Sequence, residues 1–159
     1  SDMSQVEVVR NEAGKLEGFG EKGARAWSRF RDIVDRMVIG ETLVFQWWEP
    51  RSPGYHRLFF AKLAALLDRQ EQFDDVDKLR AWLTVGAGEC DFVPGPKGRM
   101  VALPRSIAWH KLDETEFRNI VARIDAFLWT PHAQQFLWPM LDDATRHRMI
   151  ESWHEEFAQ

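Results

Sequence analysis

The sequence predicts an α+β fold, with several helices packed on a small, mostly antiparallel sheet in a single domain. Three observations lead there. Helical signals recur in six separate stretches of the chain, mostly as apolar residues three and four apart. Two short β-prone pieces flank the turn signal Pro94-Gly95-Pro96-Lys97-Gly98. The length, 159 residues, is that of one ordinary domain with a core of its own.

Residues 1–13 are expected to be flexible, and the domain to run from 14 to 159. Ala26, Phe30, Ile33, Val34 and Met37 place a helix over 21–37, which Gly40 closes. Glu41–Glu49, ETLVFQWWE, is dense in β-formers and reads as a strand. Ser52 and Pro53 then fit the N-cap and first position of a helix reaching about Leu67. Asp74 or Asp75 caps another through Leu83, with Val76, Leu79, Trp82 and Leu83 on one face. Glu89–Val93 and Arg99–Leu103 form the expected hairpin. Asp113 followed by Glu116 is a capping box for a helix that turns Phe117, Ile120, Val121, Ile124 and Leu128 inward. Thr130-Pro131 opens a helix to Leu141, and Asp142 or Asp143 caps the last one, to about Phe157. The part from about 130 onward is acidic, helical and rich in tryptophan.

Hydrophobic residues make up 45% and charged residues 29%, a globular composition. The lone cysteine, Cys90, excludes an internal disulfide and suits a reducing compartment. Its setting, ECDFV, reads as a strand position where Cys is a small apolar residue. No apolar run approaches the roughly 20 residues of a membrane span. The net charge is −4, so the whole molecule is no attractor of polyanions. The charge is uneven, however. Residues 1–49 hold 7 basic and 9 acidic side chains, 50–112 hold 10 and 7, and 113–159 hold 4 and 9. A mildly basic middle thus precedes an acidic tail.

Two basic stretches are the candidate nucleic-acid site. Arg51, His56 and Arg57 surround a helix start, where outward N–H groups favour anions and where Tyr55 and His56 offer flat surfaces. Arg99, Arg105, Trp109, His110 and Lys111 suggest a groove in which cations follow a phosphate backbone and a ring stacks on bases. The alternatives are a solvated turn for the first stretch and, for the second, Ile107 and Trp109 alternating into the core. Eight tryptophans exceed what one small core requires. Trp129, Trp138 and Trp153, in the acidic tail, are the candidate partner-binding residues, as part of either a core or a protein-contact surface, a homodimer interface included. His147, Glu151 and His154 share a helical face but lack the context of a metal site. No catalytic constellation, metal site or cofactor is expected.

Several pieces taken together carry a resemblance. They are Gly40-Glu41-Thr42-Leu43-Val44-Phe45, the stretch RSPGYHRLFFAKL at 51–63, Leu79-Arg80-Ala81-Trp82-Leu83 and Ala87-Gly88. Ser106-Ile107-Ala108-Trp109 follows, then Lys111-Leu112 and Glu116-Phe117. In that order, over residues 24–125, the chain resembles a phage and prophage family of unknown function. It is more distantly similar to NinB recombination proteins, which bind single-stranded DNA, although Tyr55 and His56 stand where those proteins have a Gln-Asn pair. The resemblance implies a phage accessory protein in the cytoplasm of a bacterial host. Two functions are expected from it and from the residues. One is non-catalytic binding of single-stranded DNA in replication or recombination. The other is a protein–protein inhibitor or adaptor acting on a host complex, such as a defence system.

Overall fold

The computed structural model describes residues 4–158. Among the described residues, six α-helices and two antiparallel two-stranded sheets give the expected α+β class. The chain sorts into two compact units. One runs up to Trp47 and includes Asp75–Asp77; the other holds Trp48–Asp74 and everything from Lys78 onward.

The first unit begins with an unexpected hairpin. Strand β1 (Val8–Arg10) pairs antiparallel with β2 (Leu16–Gly18), so part of the stretch expected to be flexible is a strand; residues 1–3 lie outside the described residues. Gly18 lies backbone to backbone against Gly23 of helix α1 (Gly20–Arg36), where a Cβ on Gly18 would overlap the Gly23 carbonyl. The residue before α1, Phe19, supplies no side-chain cap. The α1 amide of Glu21 donates instead to buried Asp75, at 2.8 Å, a cap from 54 residues away. The expected strand over 41–49 does not form. Residues 41–50 have no regular structure and pair with no strand, because each sheet holds only two. High β-propensity becomes a strand only where a neighbouring edge accepts its hydrogen bonds.

The second unit is helical. Helix α2 (Pro53–Asp68) starts at Ser52, whose side chain makes no cap bond. Helix α3 (Val76–Gly86) begins in the first unit and lies in the second from Lys78. Strands β3 (Cys90–Pro94) and β4 (Met100–Pro104) form the predicted hairpin, one residue later than expected. A 3₁₀ turn at Trp109–Lys111 leads to helix α4 (Glu114–Leu128). Its capping box is complete: Asp113 accepts from the Glu116 amide, and Glu116 accepts from the Asp113 amide. Helices α5 (Pro131–Leu137) and α6 (Asp143–Phe157) follow, capped by Thr130 and Asp142. Helix α5 stops four residues before the expected Leu141.

One core joins these helices: Phe59, Leu63 and Leu66 of α2, Leu79 and Leu83 of α3, Phe117, Ile120, Ile124 and Leu128 of α4, Leu137 of α5, and Ile150 and Trp153 of α6. Buried Gln70 folds the turn after α2 by donating to the Leu67 and Phe73 carbonyls and accepting from the Gln72 and Phe73 amides. Among the described residues, no helix is long and apolar enough to cross a membrane.

The fully buried Leu66 sets the first expectation. Leu66→Ala costs about 2–5 kcal/mol, read as a loss in the urea-unfolding midpoint, because the removed methyl groups leave a cavity. Gly86 sets the second. A Cβ there runs into the Phe127 ring, so Gly86→Ala lowers stability by about 1–3 kcal/mol despite its better helix propensity. A melting temperature unchanged by Gly86→Ala would show that the α3–α4 contact yields freely.

Candidate binding surfaces

The two basic stretches meet at Arg51, whose side chain reaches a residue 60 positions away. Its amide donates to the His110 carbonyl at 2.9 Å, and its guanidinium donates to the Lys111 carbonyl at 3.2 Å. Trp48, half exposed, tilts against the His110 ring with centroids 5.8 Å apart. On α2, the Tyr55 hydroxyl accepts from Arg118 at 2.6 Å, and that guanidinium also lies 5.3 Å from the Tyr55 ring centroid. Trp48, Arg51, Tyr55, His110, Lys111 and Arg118 therefore lie on connected stretches of one unit, with aromatic and cationic groups interleaved.

The charge there is half neutralised. Arg51 faces Asp113 at 3.9 Å, and Arg118 pairs with Glu114 at 3.0 Å. Accepting the Glu116 amide, helped by the nearby Arg51 cation, holds the Asp113 carboxyl below its usual pKa, so it stays negative. Arg57 and Lys111 are exposed and, among the described residues, have no ion-pair partner.

The other predicted residues are placed differently. Trp109 is buried and stacks on Phe59 at 4.9 Å and 18°, with Phe117 beside it, so its ring is core and offers no surface to a base. His56 is half-buried, edge-on to Phe117 at 5.8 Å. Arg105 sits at the base of the β3–β4 hairpin, 3.6 Å from Glu89 and 3.4 Å from Asp91, and Glu89 also holds Arg123 at 2.6 Å. Arg99 is at the hairpin tip, where its carbonyl accepts from the Gly95 amide. Six residues of extended chain put it about 20 Å from Arg105. The single groove expected through Arg99, Arg105 and Trp109 is therefore not formed.

The hairpin was expected as a turn that lends Arg99 to a nucleic-acid groove; its exposed apolar side chains make it a candidate surface of another kind. Its base is tied by the Arg105 amide to the Glu89 carbonyl and by the Glu89 amide to the Thr84 carbonyl. Beyond that base Phe92 is 66% exposed, Met100 60%, Leu103 47% and Val101 42%. Lys97 and Arg99 are exposed at its tip.

The acidic tail divides likewise. Trp138 and Trp153 are buried, with their indole N–H groups donating to the carbonyl of Arg69, the residue that caps the end of α2 (2.7 Å), and of Lys62 within α2 (2.9 Å). Both are core residues, which corrects their expected role as partner contacts. Only Trp129 keeps an exposed ring, stacked 5.3 Å from His154 at an interplanar angle of 3°. His147 is tilted against the same ring, 4.9 Å from Trp129, and lies 3.6 Å from Glu151. Among the described residues, no group of three His, Cys, Asp or Glu side chains could hold a metal ion. Cys90 is half-buried in β3.

His154 makes the tail sensitive to acid. Burial lowers its pKa below the ordinary 6.5; Asp125, 4.0 Å away, opposes that shift, and the Lys62 charge reinforces it. The unfolded chain therefore takes up this proton first. The stability contributed by neutral His154 is full above pH 6.5 and is lost as the pH drops through that value toward the lower folded pKa. His154→Phe keeps a ring on Trp129 and removes the proton site. The variant should flatten the acid-side decline of the melting temperature, and an unchanged slope would assign that decline to other groups. No family model matches the chain, and neither a curated protein nor a solved structure is similar to it.

Proposed function

We propose that this protein is a non-catalytic accessory protein, of phage origin as its sequence resemblance implies, that works by docking on a partner protein through the β3–β4 hairpin. The observation behind this reading is the exposure of Phe92, Met100, Val101 and Leu103 on the β3–β4 hairpin, beyond the backbone bonds at its base. Apolar side chains gathered on an exposed element cost solubility and are kept where a partner covers them. Lys97 and Arg99 at the tip favour an acidic rim on that partner. An inhibitor or adaptor of a host complex is the form of this function that the sequence suggests.

A photo-crosslinking side chain at position 92, compared with one at exposed Glu155, tests the reading in the host cell. A product specific to position 92, whose purified partner then binds the wild type and loses about 2 kcal/mol or more of affinity with Phe92→Ser, is the expected result. Identical products at both positions, or a partner indifferent to Phe92→Ser, overturns it.

A second reading, single-stranded DNA binding, draws on the meeting of the two basic stretches at Arg51. It would be seen as oligonucleotide binding that weakens steeply with salt and is lost in Arg57→Glu with Lys111→Glu. Oligonucleotide anisotropy that stays flat at low salt removes this reading and leaves the first untouched.

A further inference from the structure

The first unit is short of a core. Helix α1 is 17 residues long, yet Gly23 is its only buried residue. Ile33 and Val34, on its apolar face, are 42% and 44% exposed. The segment that follows is more open still: Val38 is 62% exposed, Ile39 105%, Val44 86%, Phe45 61% and Trp47 74%. A helix draws most of its stability from packing its apolar face, and a unit this small buries little surface of its own.

One edge of the segment is already engaged. Phe45 meets Phe30 edge-on at 5.7 Å, Phe30 stacks on Trp27 at 5.8 Å, and Trp47 lies 6.3 Å from Phe45. Its backbone is not engaged. From Thr42 to Trp47, among the described residues, no main-chain N–H or C=O makes a hydrogen bond. An uncharged, β-prone run with unused main-chain donors and acceptors is a strand awaiting a neighbour.

We propose that the neighbour is the same segment of a second copy, paired antiparallel across a two-fold axis near Val44. Three observations favour a second copy. First, the run Thr42–Trp47 has no charge, glycine or proline, so it demands no complementary charge on its partner; such runs are the kind that pair with themselves. Second, the register centred on Val44 puts Val44 opposite Val44, Leu43 opposite Phe45 and Thr42 opposite Gln46. No like charges face each other, whereas a centre at Phe45 would set Glu41 against Glu49. Third, the exposed apolar side chains from Ile33 to Trp47 offer on the order of 1,000 Å² per copy, against about 800 Å² per partner in a standard interface. Glu41 on one side, and Glu49 and Pro50 on the other, limit the length of the pairing. This inference is independent of the hairpin reading, which concerns the other unit.

Sedimentation velocity of the full chain over a wide concentration range tests it. The expected result is a species of twice the 18.6 kDa chain mass, with self-association weakened roughly tenfold or more by Val44→Lys. Val44 is so exposed that the substitution spares the folded monomer, and circular dichroism checks this. A second variant reads the geometry. In a Cys90→Ser background, Val44→Cys should form a disulfide-linked dimer on mild oxidation, while Lys97→Cys should not. A chain of single mass at every concentration overturns the proposal. So does a dimer unmoved by Val44→Lys, or a monomer whose 42–47 segment is instead protected by an unrelated protein.

Discussion

A buried indole must give its N–H to something, and in this chain that requirement organises the larger unit. Trp153 of α6 donates to the Lys62 carbonyl in the body of α2, and Trp138 after α5 donates to the Arg69 carbonyl at the α2 C-terminus. The second bond fills one of the acceptors that every helix end leaves open. Helix α2 thereby becomes the spine to which the C-terminal helices are fastened. Lys62 completes the arrangement, with its ammonium 4.8 Å from the Trp153 ring and 3.6 Å from Asp125 of α4. Arg146 extends it, donating to the Trp138 and Pro139 carbonyls as well as to Asp143.

Once α2 is fixed, the candidate surfaces follow. Its N-terminal end presents Tyr55 to Arg118, and Arg51, just before it, reaches the backbone of residues 110 and 111. Trp109 is drawn inward onto Phe59 of the same helix. A single geometry thus brings the two basic stretches together while removing the ring meant to stack between them. The surface keeps its cations but spends two of them on Asp113 and Glu114. That partial neutralisation, set against the exposed apolar hairpin, is the reason we propose a protein as the partner.

The smaller unit shows the opposite balance. Its helix is well formed locally and sealed to the β1–β2 hairpin by the Gly18–Gly23 approach, but its apolar side finds too little to cover it. In the larger unit, apolar residues at helical spacing find four other helices. In the smaller one the same spacing stays half covered, and the adjoining β-prone run carries the apolar surface further.

Local signals in the sequence were enough for most helices and for the β3–β4 hairpin. The capping box at Asp113 and Glu116, Pro53 and Pro131 at first positions, and the Pro-Gly turn all act within four or five residues, so no distant partner is needed for them to work. The inward face of α4 was legible for the same reason: Phe117, Ile120, Ile124 and Leu128 share one side of any helix drawn through them. What depends on distant neighbours was not legible. The fate of ETLVFQWWE turned on whether a second edge was present, and the cap of α1 came from Asp75. The division of the tryptophans into core and surface was settled by long-range partners: the Arg69 and Lys62 carbonyls for Trp138 and Trp153, and the Phe59 ring for Trp109. A side chain's type tells what it can bind; its burial and pairing are properties of the neighbours that tertiary structure supplies.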